Sequence, residues 1–115
     1  MPIFETWDIV KVPFPYTNRP VRQRRPALVI ADGTLTVDGR LLWVLMITSA
    51  ENRGWVGDVE ISEIGSAGLP VPSIVRAAKI ATIESGDAEF LGKLPISDRL
   101  KVTENLSRQL SKALP

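Results

Sequence analysis

Short apolar runs, broken at close intervals by Pro, Gly, Asn and Asp, fill the first two-thirds of the chain and restrict it to a fold built mainly from strands. Asp8–Phe14 carries Val10, Val12 and Phe14 on one face. Pro13 marks it as an edge or bulged strand, because proline cannot donate to a ladder on both sides. Residues 27–31 and 41–47 are predicted to form the central pair, joined by a loop holding the turn dipeptides Asp32-Gly33 and Asp38-Gly39. The unbroken apolar run 41–47 requires cover on both faces, from a barrel core or a subunit partner, and Trp43 is expected in the core. Residues 58–61 read as a shorter alternating strand, and residues 73–83 as one strand or two broken around Lys79.

The period changes near the C-terminus. Ser97 is predicted to cap a helix in which Leu100, Thr103, Leu106, Leu110 and Leu114 recur at helical spacing. Asp98 stands at its positive end and Lys112 at its negative end. Strands followed by one closing helix define an α+β, mostly β architecture with a small, strongly bent sheet or partly open barrel. With 115 residues, 44% of them hydrophobic, the chain can bury one core and is too short for two ordinary domains, so residues 1–115 are expected to form one.

Composition narrows the chemistry. Cysteine and histidine are both absent. That removes disulfides, Cys/His metal sites, thiolate nucleophiles and Ser-His-Asp catalysis together. Any reaction must use Arg, Lys, Asp, Glu, Ser, Thr or Tyr. The formal charge of +1 hides a local excess, since Arg19, Arg22, Arg24 and Arg25 lie in an acid-free stretch. The N-terminal stretch lacks a signal-peptide pattern and no apolar run approaches the length of a bilayer span, so a soluble, cytoplasmic protein with no membrane contact is expected.

Three features could carry chemistry. In Arg24-Arg25-Pro26-Ala27-Leu28-Val29-Ile30 an arginine-rich loop enters an apolar strand, and Pro26 holds Arg25 extended at its mouth. The planar guanidinium fork suits a phosphate. The same arginines could be solvated loop charges or partners of Asp8 or Asp58. In Ile47-Thr48-Ser49 an apolar strand ends in two hydroxyls, which can donate to a phosphoryl oxygen or satisfy backbone groups of a turn. Arg76 and Lys79 either add positive charge beside the first loop or reflect ordinary alternation on a half-exposed strand. Trp7, Tyr16 and Trp55 sit near turn signals, where an exposed ring stacks on a nucleobase or serves a dimer contact.

Four stretches in order resemble the PemK/MazF (Kid-like) toxins of bacterial toxin–antitoxin pairs. They are Trp7-Asp8-Ile9-Val10-Lys11-Val12-Pro13-Phe14-Pro15-Tyr16-Thr17, then Arg24-Arg25-Pro26-Ala27-Leu28-Val29-Ile30, then Ile47-Thr48-Ser49, and last Pro72-Ser73-Ile74-Val75-Arg76-Ala77-Ala78-Lys79-Ile80-Ala81-Thr82-Ile83. The resemblance implies an SH3-like barrel with a C-terminal helix, a homodimer, a cognate antitoxin as partner, and sequence-selective cleavage of single-stranded mRNA without metal or cofactor. Arg25 matches the family's Arg-Pro arginine and Thr48 its strand-end Thr or Ser, which makes them the expected catalytic pair. Arg24, Ser49, Arg76, Lys79, Arg22 and Tyr16 are the expected substrate contacts. Arg76 lines up with an arginine that is catalytic in the Kid branch, but the acid expected two positions later is Ala78, Ala81 stands where many members have Arg, and that branch's histidine is missing. Glu51 and Asp58 are candidates for a general base by position alone. The alternative reading is a non-catalytic binding module, or a degenerate toxin that binds an antitoxin or a gyrase-like target.

Overall fold

A computed structural model describes residues 3–14, 23–31 and 39–114. Tyr16, Arg19, Arg22, the Asp32-Gly33 dipeptide and Asp38 lie outside the described residues. Six strands, β1 (Asp8–Phe14), β2 (Gln23–Ala31), β3 (Leu41–Ser49), β4 (Asp58–Glu60), β5 (Ser73–Glu84) and β6 (Glu89–Lys93), form one antiparallel sheet in the order β4-β5-β3-β2-β1-β6. A single helical turn, α1 (Ile64–Ala67), precedes β5, and α2 (Ile96–Ala113) closes the chain. This is the expected mostly β architecture with a C-terminal helix, its sheet barrel-like but ending in the edge strands β4 and β6. Among the described residues no helix is long and apolar enough to cross a membrane.

The continuous apolar runs are explained by two cores, one on each face of the sheet. Successive residues of a strand point to opposite faces, so Ile9, Leu28, Leu45 and Ile47 enter one core while Val10, Ala27, Val44 and Met46 enter the other. The first core is completed by Val59 and Val75 from the sheet, Ala67 of α1 and Val102 of α2. Phe4, Val12, Val29, Leu42 and Ile83 complete the second. Trp43 departs from expectation: it is 45% exposed, pairing with Thr82 on β5 in a stretch where neither core extends over it.

Local irregularities follow from identifiable residues. β1 is neither the edge nor the bulged strand that Pro13 suggested: it lies inside the sheet between β2 and β6, and where its pairing with β6 slips between Ile9 and Val10 the extra residue is Leu91 of β6. Pro13 is accommodated because the β1–β6 pairing ends at Lys11, leaving its β6 side without a ladder to support. β5 is the single strand of the two alternatives, but its register against β3 jumps from Ile80 to Arg76 as β3 passes from Leu45 to Met46, so a bulge at residues 77–79 stands where a break around Lys79 was the other possibility. β6 has little sequence signal, being five residues with only Gly92 fully buried.

The helix is rotated from its leucine pattern. Of the expected stripe, Leu106 packs against the first core, but Leu100 is 70% exposed and Leu114 66%, and the buried positions are Asp98, Val102 and Asn105. Polar side chains on that face find defined partners, which is why it can be buried. Asp98 Oδ2 accepts from the Ser62 backbone N–H at 2.9 Å and from the Ser62 hydroxyl at 3.0 Å. Asn105 Nδ2 donates to the Gly57 carbonyl at 3.1 Å, and Gln109 Nε2 to the Val56 carbonyl at 2.8 Å. Ser97 is not the cap; the helix begins after Pro95, with no side-chain cap bond.

Candidate functional site

The β2–β3 register brings the two central candidates together. Ala27 pairs with Met46 and Leu28 with Leu45, and carrying that register two residues further sets Arg25 across from Thr48 on one face of the sheet. Both line a cleft of about 300 Å³ with Lys11, Pro26, Ser49 and Leu91. Its far wall is the segment 68–71 that leaves α1. That wall depends on Gly68, whose φ is +73° and whose missing Cβ would lie 2.1 Å from the Leu91 carbonyl oxygen. No side chain larger than hydrogen fits there without moving backbone.

Each candidate has a distinct local setting. Arg25 is half-buried at the mouth of β2, with Nη2 donating to Gln23 Oε1 at 3.0 Å. Arg24 Nη2 donates to the Lys11 carbonyl at 3.2 Å and lies 3.7 Å from Glu89 in an exposed ion pair. Thr48 is buried, and its Oγ1 accepts from Asn52 Nδ2 at 2.9 Å. Ser49 Oγ accepts a long bond, 3.4 Å, from the Glu51 N–H and caps the 3-10 turn Ala50–Asn52. The turn-serving use of strand-end hydroxyls is thus realised at Ser49, which also borders the cleft.

Arg76 and Lys79 are not among the residues that line this cleft. Lys79 sits in the β5 bulge. Arg76 is buried, its Nε and Nη2 donating to the two carboxylate oxygens of Asp58, each at 3.1 Å. Nη2 also donates to the Asn52 carbonyl at 2.7 Å, and the guanidinium stacks 4.1 Å from the centroid of Trp55. One face of Trp55 is therefore given to Arg76.

This pairing removes Asp58 from the candidates for a general base. Burial alone would raise its pKa, but the hydrogen bond from Arg76, the N–H of Trp55, the Arg76 charge and the N–H of Gly54 together hold the carboxyl below its ordinary value. A base works best with a pKa near neutrality, and this carboxylate is both too acidic and fully occupied. Asp8 pairs with Lys93 at 2.8 Å, and Asp58 with Arg76. Lys11 is a charged cleft residue that was not among the expected substrate contacts. Its signal was the alternation Val10-Lys11-Val12, which turns a lone charge to the face opposite two buried valines.

The same overall fold, a sheet with a closing helix, is found in several solved structures. MazF from Deinococcus radiodurans matches with a TM-score of 0.76 at 23% identity, over 96% of this chain and 99% of that one. An endoribonuclease in complex with its cognate antitoxin, from a mycobacterial species, gives 0.72 at 15% identity over 100% of both chains. The Mycobacterium tuberculosis toxin MazF-mt6 gives 0.71 at 21% identity, over 90% of this chain and 96% of its own. At such identities these likenesses establish the fold. No curated protein matches the chain. Residues 5–110 match the model of the family described as PemK-like, MazF-like toxin of type II toxin-antitoxin system. The chain belongs to that family of toxins.

Proposed function

We propose that this toxin is an endoribonuclease that cleaves single-stranded RNA at the cleft holding Arg25 and Thr48. The observation that carries the reading is that Arg25 and Thr48, from neighbouring strands, both line one cleft. In the proposed reaction the substrate's 2′-hydroxyl oxygen attacks phosphorus and its proton departs to a base. The bond to the 5′-oxygen breaks, that oxygen takes up a proton, and the products are a 2′,3′-cyclic phosphate and a 5′-hydroxyl. Charge builds on the non-bridging oxygens. Arg25 and the Thr48 hydroxyl are the groups that stabilise it, the electrostatic contribution that usually dominates such catalysis. Lys11, Arg24 and Ser49 hold the adjoining phosphates or sugars.

Family membership and the antitoxin-bound mycobacterial endoribonuclease support an antitoxin as the protein partner and a homodimer as the working form. The test is primer extension on RNA treated with purified protein in EDTA. Discrete cut sites are expected, and intact RNA would favour the non-catalytic binding module. Arg25→Ala should abolish the cuts while leaving the melting temperature in place, and full activity in that variant would remove Arg25 from the mechanism. Thr48→Val should lower kcat by about 10²-fold, the usual cost of one donor to a developing oxyanion.

A further inference from the structure

Thr48 is anchored by a chain of contacts that begins on the other side of β3. Asp58 on β4 receives the backbone N–H groups of Gly54 and Trp55 at 3.2 and 3.1 Å, and grips Arg76 on β5 through both carboxylate oxygens. With its plane fixed by that fork and by the Trp55 ring, Arg76 holds the Asn52 carbonyl at 2.7 Å. Asn52 then turns its side-chain amide to Thr48 Oγ1 at 2.9 Å. We infer that Asn52, held by the Arg76–Asp58 pair, is a positioning residue for the Thr48 hydroxyl.

The physical reason lies in the inventory of a hydroxyl. Thr48 has one proton to give and two lone pairs to fill. Occupying a lone pair with Asn52 Nδ2 restricts rotation about the C–O bond and leaves the proton for an incoming acceptor. A hydroxyl that already accepts is also polarised into a stronger donor. Asn52 itself is exposed on a three-residue turn, so its orientation depends on the bond to Arg76. In this chain Arg76 would therefore act through Asn52 and not on the substrate.

The inference rests on the reading of Thr48 as a phosphate-stabilising group, and two measurements keep the claims apart. In the first, Asn52→Ala should lower kcat for a single-stranded RNA about tenfold, the rate equivalent of one lost hydrogen bond, with KM and melting temperature unchanged. In a Thr48→Val background the same change should cost nothing further. Independent losses in the two backgrounds, or a loss that tracks the melting temperature, overturn the inference. In the second, the Asn52 side-chain amide protons are followed by NMR in the intact protein. Thr48→Val and Arg76→Lys should each shift them and speed their exchange with water; resonances that stay in place overturn the inference even if RNA is cut. Should the unaltered protein cut no RNA, the ribonuclease reading falls, and the amide resonances alone decide whether Asn52 is aimed at Thr48.

Discussion

A guanidinium and a carboxylate buried side by side are safe only together. With the Arg76 and Asp58 side chains 8% and 9% exposed, Arg76→Met would strand a carboxylate out of water, and a loss of roughly 3–5 kcal/mol is expected by urea unfolding. Replacing both residues with apolar ones of similar volume should recover much of it. The pair also sets a pH dependence. Because the folded pKa of Asp58 lies below its ordinary value of 3.8, its contribution is present above that value and disappears as pH falls through the folded one. Urea midpoints for the unaltered protein should fall on acidification below about pH 4, and Asp58→Asn should remove that part of the slope. Nothing local announces this pairing. Arg76 read equally well as a substrate contact because its partner is eighteen positions away on another strand.

At the scale of elements, α1 and β6 approach so closely that glycine is required on both sides. A Cβ on Gly92 would fall 2.5 Å from the Ala67 carbonyl carbon, and one on Gly68 would meet the Leu91 backbone. Gly68→Ala should cost about 1–3 kcal/mol, the range for a strained backbone, and should slow RNA cleavage by shifting the cleft wall. A melting temperature within a degree of the unaltered protein would contradict this. For α2, Val102→Ala should cost about 2 kcal/mol, counting the lost methyls and the cavity they leave. Leu100→Gln should stay within about 0.5 kcal/mol, since the side chain lies mostly in solvent. Helical period was legible here and helical phase was not. The leucines offered the obvious apolar stripe, whereas Asp98, Asn105 and Gln109 reach hydrogen-bond partners that only the folded sheet and its loops supply.

Across the whole molecule, a formal charge of +1 is too small to draw RNA by its overall field, so binding should depend on local cations. If Lys11, Arg24 and Arg25 each neutralise one phosphate, log K for a non-cleavable 2′-deoxy oligonucleotide should fall with log salt at a slope of about −2, near −0.7 per contact. Lys11→Ala should reduce that slope by about 0.7, measured by fluorescence anisotropy. An unchanged slope would take Lys11 out of the interface. The sequence by itself determined the class of fold: residues alternating between two apolar faces can be satisfied only by a sheet covered on both sides, and the change to a helical period places the helix last. It also offered Arg25 and Thr48 as candidates, an arginine before proline and a hydroxyl closing an apolar run, which the resemblance to the toxin family then selected over the solvated-loop and turn readings. Tertiary structure alone decided that the two line one cleft, that Arg76 turns to Asp58 while Lys11 joins the cleft, and which side of α2 is buried. Those outcomes depend on strand register and on partners far away in the chain, and neither is written in local periodicity.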